Sequence, residues 1–169
     1  MPAGWQRCAA QRLAELKRAA KEDFQSGQTT AKKAAAILVA KKIGFTVPTA
    51  KQKQNLLVAF AKKNKVIYGK AFDIVKLSSS VDLSDLADIE KNLQRVTIFE
   101  IKSTKKRLRS DFSKYFFSLS TAEMLVAQSL KKHFRFVFVN TATGEHLELD
   151  LADIFSRAKA IYPGWSISF

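Results

Sequence analysis

Two short segments, residues 71–77 (AFDIVKL) and 95–102 (RVTIFEIK), decide the fold that the sequence predicts. Both are rich in β-branched and aromatic residues, and both carry the alternation that is typical of strands. In the second segment Glu100 and Lys102 are two residues apart, so their side chains share one face of the strand. If the two strands pair, Asp73 of the first segment can lie opposite Glu100 of the second.

These side chains predict a site for a divalent metal ion. Two carboxylates can hold one hard, oxygen-preferring cation such as Mg²⁺ (or Mn²⁺), and the backbone carbonyl of Ile101 is available as a third protein ligand. Asp73 lies among apolar residues, where an unpaired charge is expensive unless a metal ion or another cation compensates it. Four other acidic residues remain alternatives to Asp73 as the first carboxylate, namely Asp82, Asp85, Asp88 and Glu90.

The hydrophobic period predicts helices before the two strands. Helical spacing covers residues 5–23, a second helix capped by Thr30 runs to a stop at Gly44, and Pro48 opens a third. Between the strands, residues 78–94 have the composition of a loop followed by a short helix.

A helix and further strands are predicted after the second strand. Ser120 and Glu123 have the spacing of a capping box, which opens a helix that continues to residue 132. The elements that follow are a strand at residues 134–139 (FRFVFV), a turn at 143–144, a partner strand at 146–149 and a final helix at 151–161.

The charge of the chain favours a polyanionic partner. It has 29 Lys and Arg against 15 Asp and Glu, a formal net charge of +14. Residues 24–72 contain ten lysines and no acidic residue, and the basic cluster KKRLR at 105–109 follows the second strand. Because uncompensated cations repel one another, we expect contacts with nucleic-acid phosphates. The expected contact residues are Lys51, Lys53, Lys62, Lys63, Ser103, Thr104, Lys105, Lys106, Arg107 and Arg109.

Several classes of protein are disfavoured. No apolar run approaches the ~20 residues of a spanning helix, and the N-terminus lacks the apolar region of a secretory signal, so we expect a soluble cytoplasmic protein without membrane contact. A single cysteine, Cys8, and two histidines are too few for an internal disulfide or a zinc cluster. The aromatic residues mostly alternate with other apolar residues and are expected in the core, so no stacking motif for single strands is evident.

The order of these motifs resembles the PD-(D/E)XK, or restriction-endonuclease-like, nuclease superfamily. The match consists of Asp73, a gap, Glu100-Ile101-Lys102, then a capped helix and a further strand. FEIKST is close to the hydrophobic-E-V-K-S/T context of these enzymes, and FSLSTAEM and FRFVFVN are similar to a branch with an LS-x-x-E helix before a strand. The resemblance covers about residues 66–149. Phe72 stands where the formal motif has Pro, and the gap is longer than a tight hairpin allows.

The resemblance implies an α/β fold with a mixed central sheet flanked by helices. A helical, lysine-rich region at residues 1–65 would precede a nuclease-like core at 66–169, in one compact domain overall. Many relatives also place a Glu on the first helix. Here only Glu15 or Glu22 is left for that role, and Gln52 or Gln54 could substitute as a neutral ligand.

The activity that the resemblance implies is hydrolysis of phosphodiester bonds, with DNA favoured over RNA and an endonuclease favoured. Asp73, Glu100 and Lys102 would be catalytic, and Asp73, Glu100 and the Ile101 carbonyl would hold Mg²⁺ or Mn²⁺. A homodimer or a protein partner would supply specificity. The main alternative is a basic nucleic-acid-binding protein on the same fold that does no chemistry.

Overall fold

The computed structural model describes residues 29–162 of the 169-residue chain. The predicted helix at residues 5–23, together with Cys8, Glu15 and Glu22, lies outside the described residues. Among the described residues, no helix combines the length and the apolar character that crossing a bilayer requires.

Helices and strands alternate along the described chain as far as the fourth strand, which the fifth strand follows directly. In order they are α1 (residues 29–40), β1 (Phe45–Thr46), α2 (Ala50–Ala61), β2 (Ile74–Leu77), α3 (Leu86–Lys91), β3 (Val96–Thr104), α4 (Thr121–Leu130), β4 (Phe134–Asn140), β5 (His146–Leu149) and α5 (Leu151–Arg157), with 3-10 turns at Leu93–Arg95 and Lys131–His133. The prediction of a mixed α/β fold with a central sheet flanked by helices is confirmed.

The five strands form one sheet in the order β1-β2-β3-β4-β5. Strands β3 and β4 are parallel, and the other neighbours are antiparallel. A parallel pair needs a crossover connection, and residues 105–133, which include α4, supply it. In the β2–β3 pair Ile74 lies opposite Phe99, so continuing the register by one residue places Asp73 opposite Glu100.

Both faces of the sheet are covered. On one face Val75, Ile98 and Phe136 belong to a hydrophobic cluster that includes buried residues of α2, α3, α4 and α5. On the other face Phe99 and Ile101 belong to a second cluster, to which α1 contributes Ala34 and Leu38. The described helices of the lysine-rich region therefore share their cores with the sheet.

The structure differs from several of the predicted boundaries. The third helix begins after Thr49, whose hydroxyl accepts from the Gln52 N–H while the Gln52 side chain accepts from the Thr49 N–H, so Pro48 precedes the cap. The final helix ends at Arg157, and the unpredicted strand β1 is only two residues long. A strand this short shows no sequence period, because it is defined by its pairing with β2.

Gly44 joins α1 to β1 in a conformation that needs glycine. Its φ is +92°, and a Cβ atom at this position would lie 2.4 Å from the carbonyl oxygen of Leu77. The Leu77 N–H donates to the Gly44 carbonyl at 3.0 Å. This close approach connects the end of α1 to the end of β2.

We expect Gly44→Ala to destabilise the protein more than Gly144→Ala does. Both positions have a positive φ, which costs alanine about 1–2 kcal/mol. Only at Gly44 would the new methyl group also collide with backbone, since nothing lies within 4 Å of the corresponding atom at Gly144. The free energy of unfolding in urea should therefore fall by about 3 kcal/mol or more for Gly44→Ala. Equal losses in the two variants would contradict this explanation.

Candidate active site

Asp73 lies one residue before β2, between the buried residues Phe72 and Ile74. Its N–H donates to the Phe99 carbonyl at 2.9 Å, and its carboxylate oxygen Oδ2 accepts from the Ile101 N–H at 3.1 Å. The prediction that Asp73 lies inside the strand is corrected, because its carboxylate takes the place of a backbone acceptor for Ile101.

The carbonyl of Ile101 faces the same edge of β3 as its N–H. In a strand the N–H and the C=O of one residue point to the same side, which is why paired residues exchange both bonds. Since the Ile101 N–H donates to the side chain of Asp73, the carbonyl of Ile101 is also directed past the first residue of β2.

Glu100 and Lys102 share one face of β3, as the spacing predicts. The Lys102 ammonium donates to Glu100 at 3.3 Å and to Glu123 at 2.9 Å. The three side chains are only 12–13% exposed. The charged groups are therefore largely removed from water, where the attraction between them is strong and the loss of hydration is expensive.

Glu123 is a site residue that the sequence reasoning missed. Its oxygen Oε2 accepts from Lys102 and also from the Ser120 N–H at 3.1 Å, so it closes the predicted capping box at the start of α4. The signal in the sequence is the Glu of the LS-x-x-E segment, whose spacing predicts a helix cap and does not indicate a contact with Lys102.

Burial and repulsion raise the pKa of Glu100 to about 8. Loss of hydration is the largest cause, and the charge of Asp73 is the next. Glu123 raises this pKa through its charge and through a hydrogen bond, whereas Lys102 lowers it. In the absence of a bound cation Glu100 therefore keeps its proton at neutral pH, and a cation would have to displace that proton.

The donor set fits an open magnesium site. Asp73, Glu100 and the Ile101 carbonyl offer only oxygen atoms, which Mg²⁺ prefers. Between residues 29 and 162 no group of three or more His, Cys, Asp or Glu side chains could hold a metal ion, so the structure describes no closed cage of such side chains. Magnesium usually binds through one or two carboxylates and takes its other ligands from water and substrate phosphates.

A cleft of about 310 Å³ adjoins Asp73 and Ile101. The helix α1 lines it with Ala31, Lys32 and Ala35, and its described residues include no acid. A carboxylate from residues 29–40 is therefore not available to the site.

Neither alternative set of metal ligands gains support. The amide oxygen of Gln52 accepts from the Thr49 N–H and its amide nitrogen donates to Ser84, while Gln54 is exposed. The acidic residues between the strands have local partners instead: Asp82 accepts from Ser84, Asp85 from Ala87, Asp88 from Asp82 and Asn92, and Glu90 from Lys62.

The residues predicted to contact nucleic acid fall into two groups. Lys53 donates to the Phe72 carbonyl at 2.9 Å, and Lys62 forms an ion pair with Glu90. Thr104 is 7% exposed, and its hydroxyl accepts from the Lys106 N–H. These three already have contacts within the protein or are buried, and their contact with nucleic acid stays a prediction. Ser103 is half-buried, and the exposed members are Lys51, Lys63, Lys105, Lys106, Arg107 and Arg109.

Comparison of the chain with protein-family models, with curated proteins and with solved structures finds no match.

The raised pKa of Glu100 predicts a pH dependence of stability in chelator. The folded protein holds this proton up to about pH 8, whereas the unfolded chain releases it near pH 4.5, so the melting temperature should fall as the pH rises between these values. Glu100→Gln should flatten this decline. The matched control is Glu90→Gln, which removes a carboxylate paired with Lys62 and should leave the decline in place. An unchanged decline in Glu100→Gln would show that Glu100 is not the titrating group.

Proposed function

We propose that this protein is a metal-dependent nuclease that hydrolyses phosphodiester bonds. The observation that carries the proposal is the meeting of Asp73, Glu100 and Lys102 beside the carbonyl of Ile101, where β2 begins next to β3. Carboxylates that are largely removed from water and repel one another contribute little to the stability of the fold. Groups with strongly shifted pKa values are concentrated at functional sites. A fold of the restriction-endonuclease type is part of the same proposal.

Asp73, Glu100 and the Ile101 carbonyl would hold Mg²⁺ or Mn²⁺, which when bound polarises a phosphate and lowers the pKa of a water molecule. The hydrogen bond from the Ile101 N–H fixes the orientation of the Asp73 carboxylate. Burial fixes Glu100. Ligands that are held in place before the substrate arrives need no reorganisation during the reaction.

Lys102 is equipped to orient a water molecule or to stabilise negative charge that develops on the phosphate. Its ammonium group has three N–H donors, and the contacts with Glu100 and Glu123 use two of them. One donor therefore remains for substrate or water. Glu123 acts through Lys102, as a positioning residue.

The exposed basic cluster would hold the phosphates on either side of the cleaved bond. Lys105, Lys106, Arg107 and Arg109 follow β3 directly and lie in the loop that leads away from Lys102. Contacts of this kind position a strand without reading its sequence. The preference for DNA and for internal cleavage rests on the family resemblance, and a second copy or a protein partner would supply specificity.

A non-catalytic binding protein is the second candidate. The observation in its favour is that Lys102 is already paired with two glutamates, which is also the geometry of a purely structural ion cluster. The two functions differ in what the same substitutions do to activity and stability.

We expect Asp73→Asn, Glu100→Gln and Lys102→Ala each to reduce cleavage of plasmid and of single-stranded DNA by at least about 100-fold with Mg²⁺ or Mn²⁺. The two acid variants should bind DNA as well as before or more tightly. Asp73→Asn removes a repulsion between carboxylate and phosphate, and Glu100→Gln is as neutral as the protonated carboxyl that it replaces. Glu90→Gln is the control, since Glu90 lies in α3, between β2 and β3, and pairs with Lys62. Cleavage rate and melting temperature are measured side by side. No cleavage by the unsubstituted protein in any metal would favour the binding protein. A lower melting temperature with unchanged activity per folded molecule would contradict the assignment of these three residues to the active site.

Replacing Lys105, Lys106, Arg107 and Arg109 together by alanine should weaken binding to all sequences alike. Each lost phosphate contact should lower the slope of log affinity against log salt by about 1. The control is alanine at Lys131 and Lys132, which are exposed in the turn before β4. Because β4 is parallel to β3, this turn lies at the end of the sheet opposite to the basic cluster. Fluorescence anisotropy at several salt concentrations measures both. An equal loss of slope in the control would show that the cluster contributes only net charge.

A further inference from the structure

The connection between β3 and α4 holds one aromatic ring in solvent. Tyr115 and Phe117 both pack on Phe138, with ring centroids 6.1 and 4.8 Å away, and the Tyr115 hydroxyl donates to the Ser103 carbonyl at 2.7 Å. Phe116, between them, points outward and is 78% exposed. Its exposure therefore follows from the anchoring of both neighbours.

Tyr162 completes an exposed aromatic pair. It is 75% exposed, and its ring centroid lies 6.3 Å from that of Phe116 with the planes at 53°. These are the two most exposed large apolar side chains among residues 29–162. We name them the Phe116–Tyr162 platform. Exposed apolar surface of this kind marks a site of interaction.

The residues that flank the platform in the sequence are mostly basic. Lys114 precedes Phe116 by two residues, Arg157 and Lys159 precede Tyr162, and all three are exposed. The basic cluster at residues 105–109 lies in the same connection, where Asp111 is the one acidic residue between positions 105 and 119. Flat π faces beside cations complement a ligand with a negative backbone and exposed ring faces, which is single-stranded nucleic acid.

The platform is held near the candidate active site. Phe116 is four residues before Ser120, so their Cα atoms are at most about 14 Å apart. The Ser120 N–H binds Glu123, and Glu123 binds Lys102. At the other anchor, Tyr115 bonds to the residue that follows Lys102. A nucleotide bound on the platform would therefore be only a few nucleotides away, along the nucleic-acid strand, from one at the candidate active site.

The backbone of the connection adds to this rigidity. Phe112 and Lys114 have positive φ values of 57° and 65°, which residues other than glycine rarely adopt. Such conformations persist where surrounding contacts determine them. Here Phe112 is buried and packs on Tyr115 and Phe138.

We propose that Phe116 and Tyr162 stack against unpaired bases, so that the ligand of this surface is a single strand or a locally unpaired region. In combination with the proposed function, on which this last step rests, the substrate of the nuclease is single-stranded or unpaired near the cleaved bond. Within a duplex the base faces are already stacked on one another, and exposing one has an energetic cost. This proposal departs from the expectation that no aromatic residues serve as a stacking motif.

The test separates base stacking from phosphate contact. The probes are a short oligothymidylate, a strand of equal length and charge with abasic residues, and a duplex of the same length, each bound to Glu100→Gln protein in chelator. In this Glu100→Gln protein, the double substitution Phe116→Leu and Tyr162→Leu should weaken binding of the oligothymidylate roughly 5- to 100-fold. The affinities for the abasic strand and for the duplex should stay within about twofold. Phe116→Trp alone should retain or tighten binding of the oligothymidylate. Tyr68→Leu is the matched control, because Tyr68 is 48% exposed and belongs to the connection between α2 and β2.

Unchanged affinity for the oligothymidylate, or an equal loss for all three probes, would overturn the proposal. A change of oligomeric state in the double variant with unchanged affinity would do so too, since the platform would then contact a second copy of the chain. Cleavage is measured separately with protein that retains Glu100. If only the affinity for the oligothymidylate falls and the protein cleaves no DNA in any metal, the stacking proposal is supported and only the proposed nuclease function is wrong.

Discussion

The antiparallel register between β2 and β3 is the constraint on which the candidate site depends. A shift by one residue would turn Glu100 and Lys102 toward α1 and would turn Phe99 and Ile101 to the opposite face, because side chains alternate strictly along a strand. The register is strongly specified, since both faces of the pair are covered by apolar clusters. The hydrophobic core thus determines which charged groups meet, although none of those groups belongs to it.

The charged cluster is expensive to hold in this place. Three carboxylates and one ammonium lie where β2 begins, and burial, together with repulsion among the acids, shifts the pKa of Glu100 to about 8. The stabilisation comes from elsewhere in the fold, where large side chains such as Phe60, Phe99 and Phe136 are almost completely buried. A site that opposes folding locally, in a well-packed domain, is the pattern expected when a cluster is retained for binding or chemistry.

The parallel pairing of β3 and β4 explains why further residues of the proposed function lie in one connection. A crossover must return the chain to the end of the sheet where β4 begins, so it first passes over the end where Lys102 lies. Along this path the connection carries the basic cluster, the exposed ring of Phe116 and the carboxylate of Glu123. Contacts to phosphate, to bases and to Lys102 would thus share one segment, anchored on Phe138 by Tyr115 and Phe117.

The sequence by itself determined the features that depend on short spacings. The period of two predicted both strands and the shared face of Glu100 and Lys102, and the capping-box spacing predicted the start of α4. Tertiary structure alone decided the contact of Glu123 with Lys102, the pairing of Lys62 with Glu90, and the exposure of Phe116 and Tyr162. A local pattern states which residues share a face of one element. It does not state which distant element packs against that face, because that choice depends on how all the apolar faces are buried together.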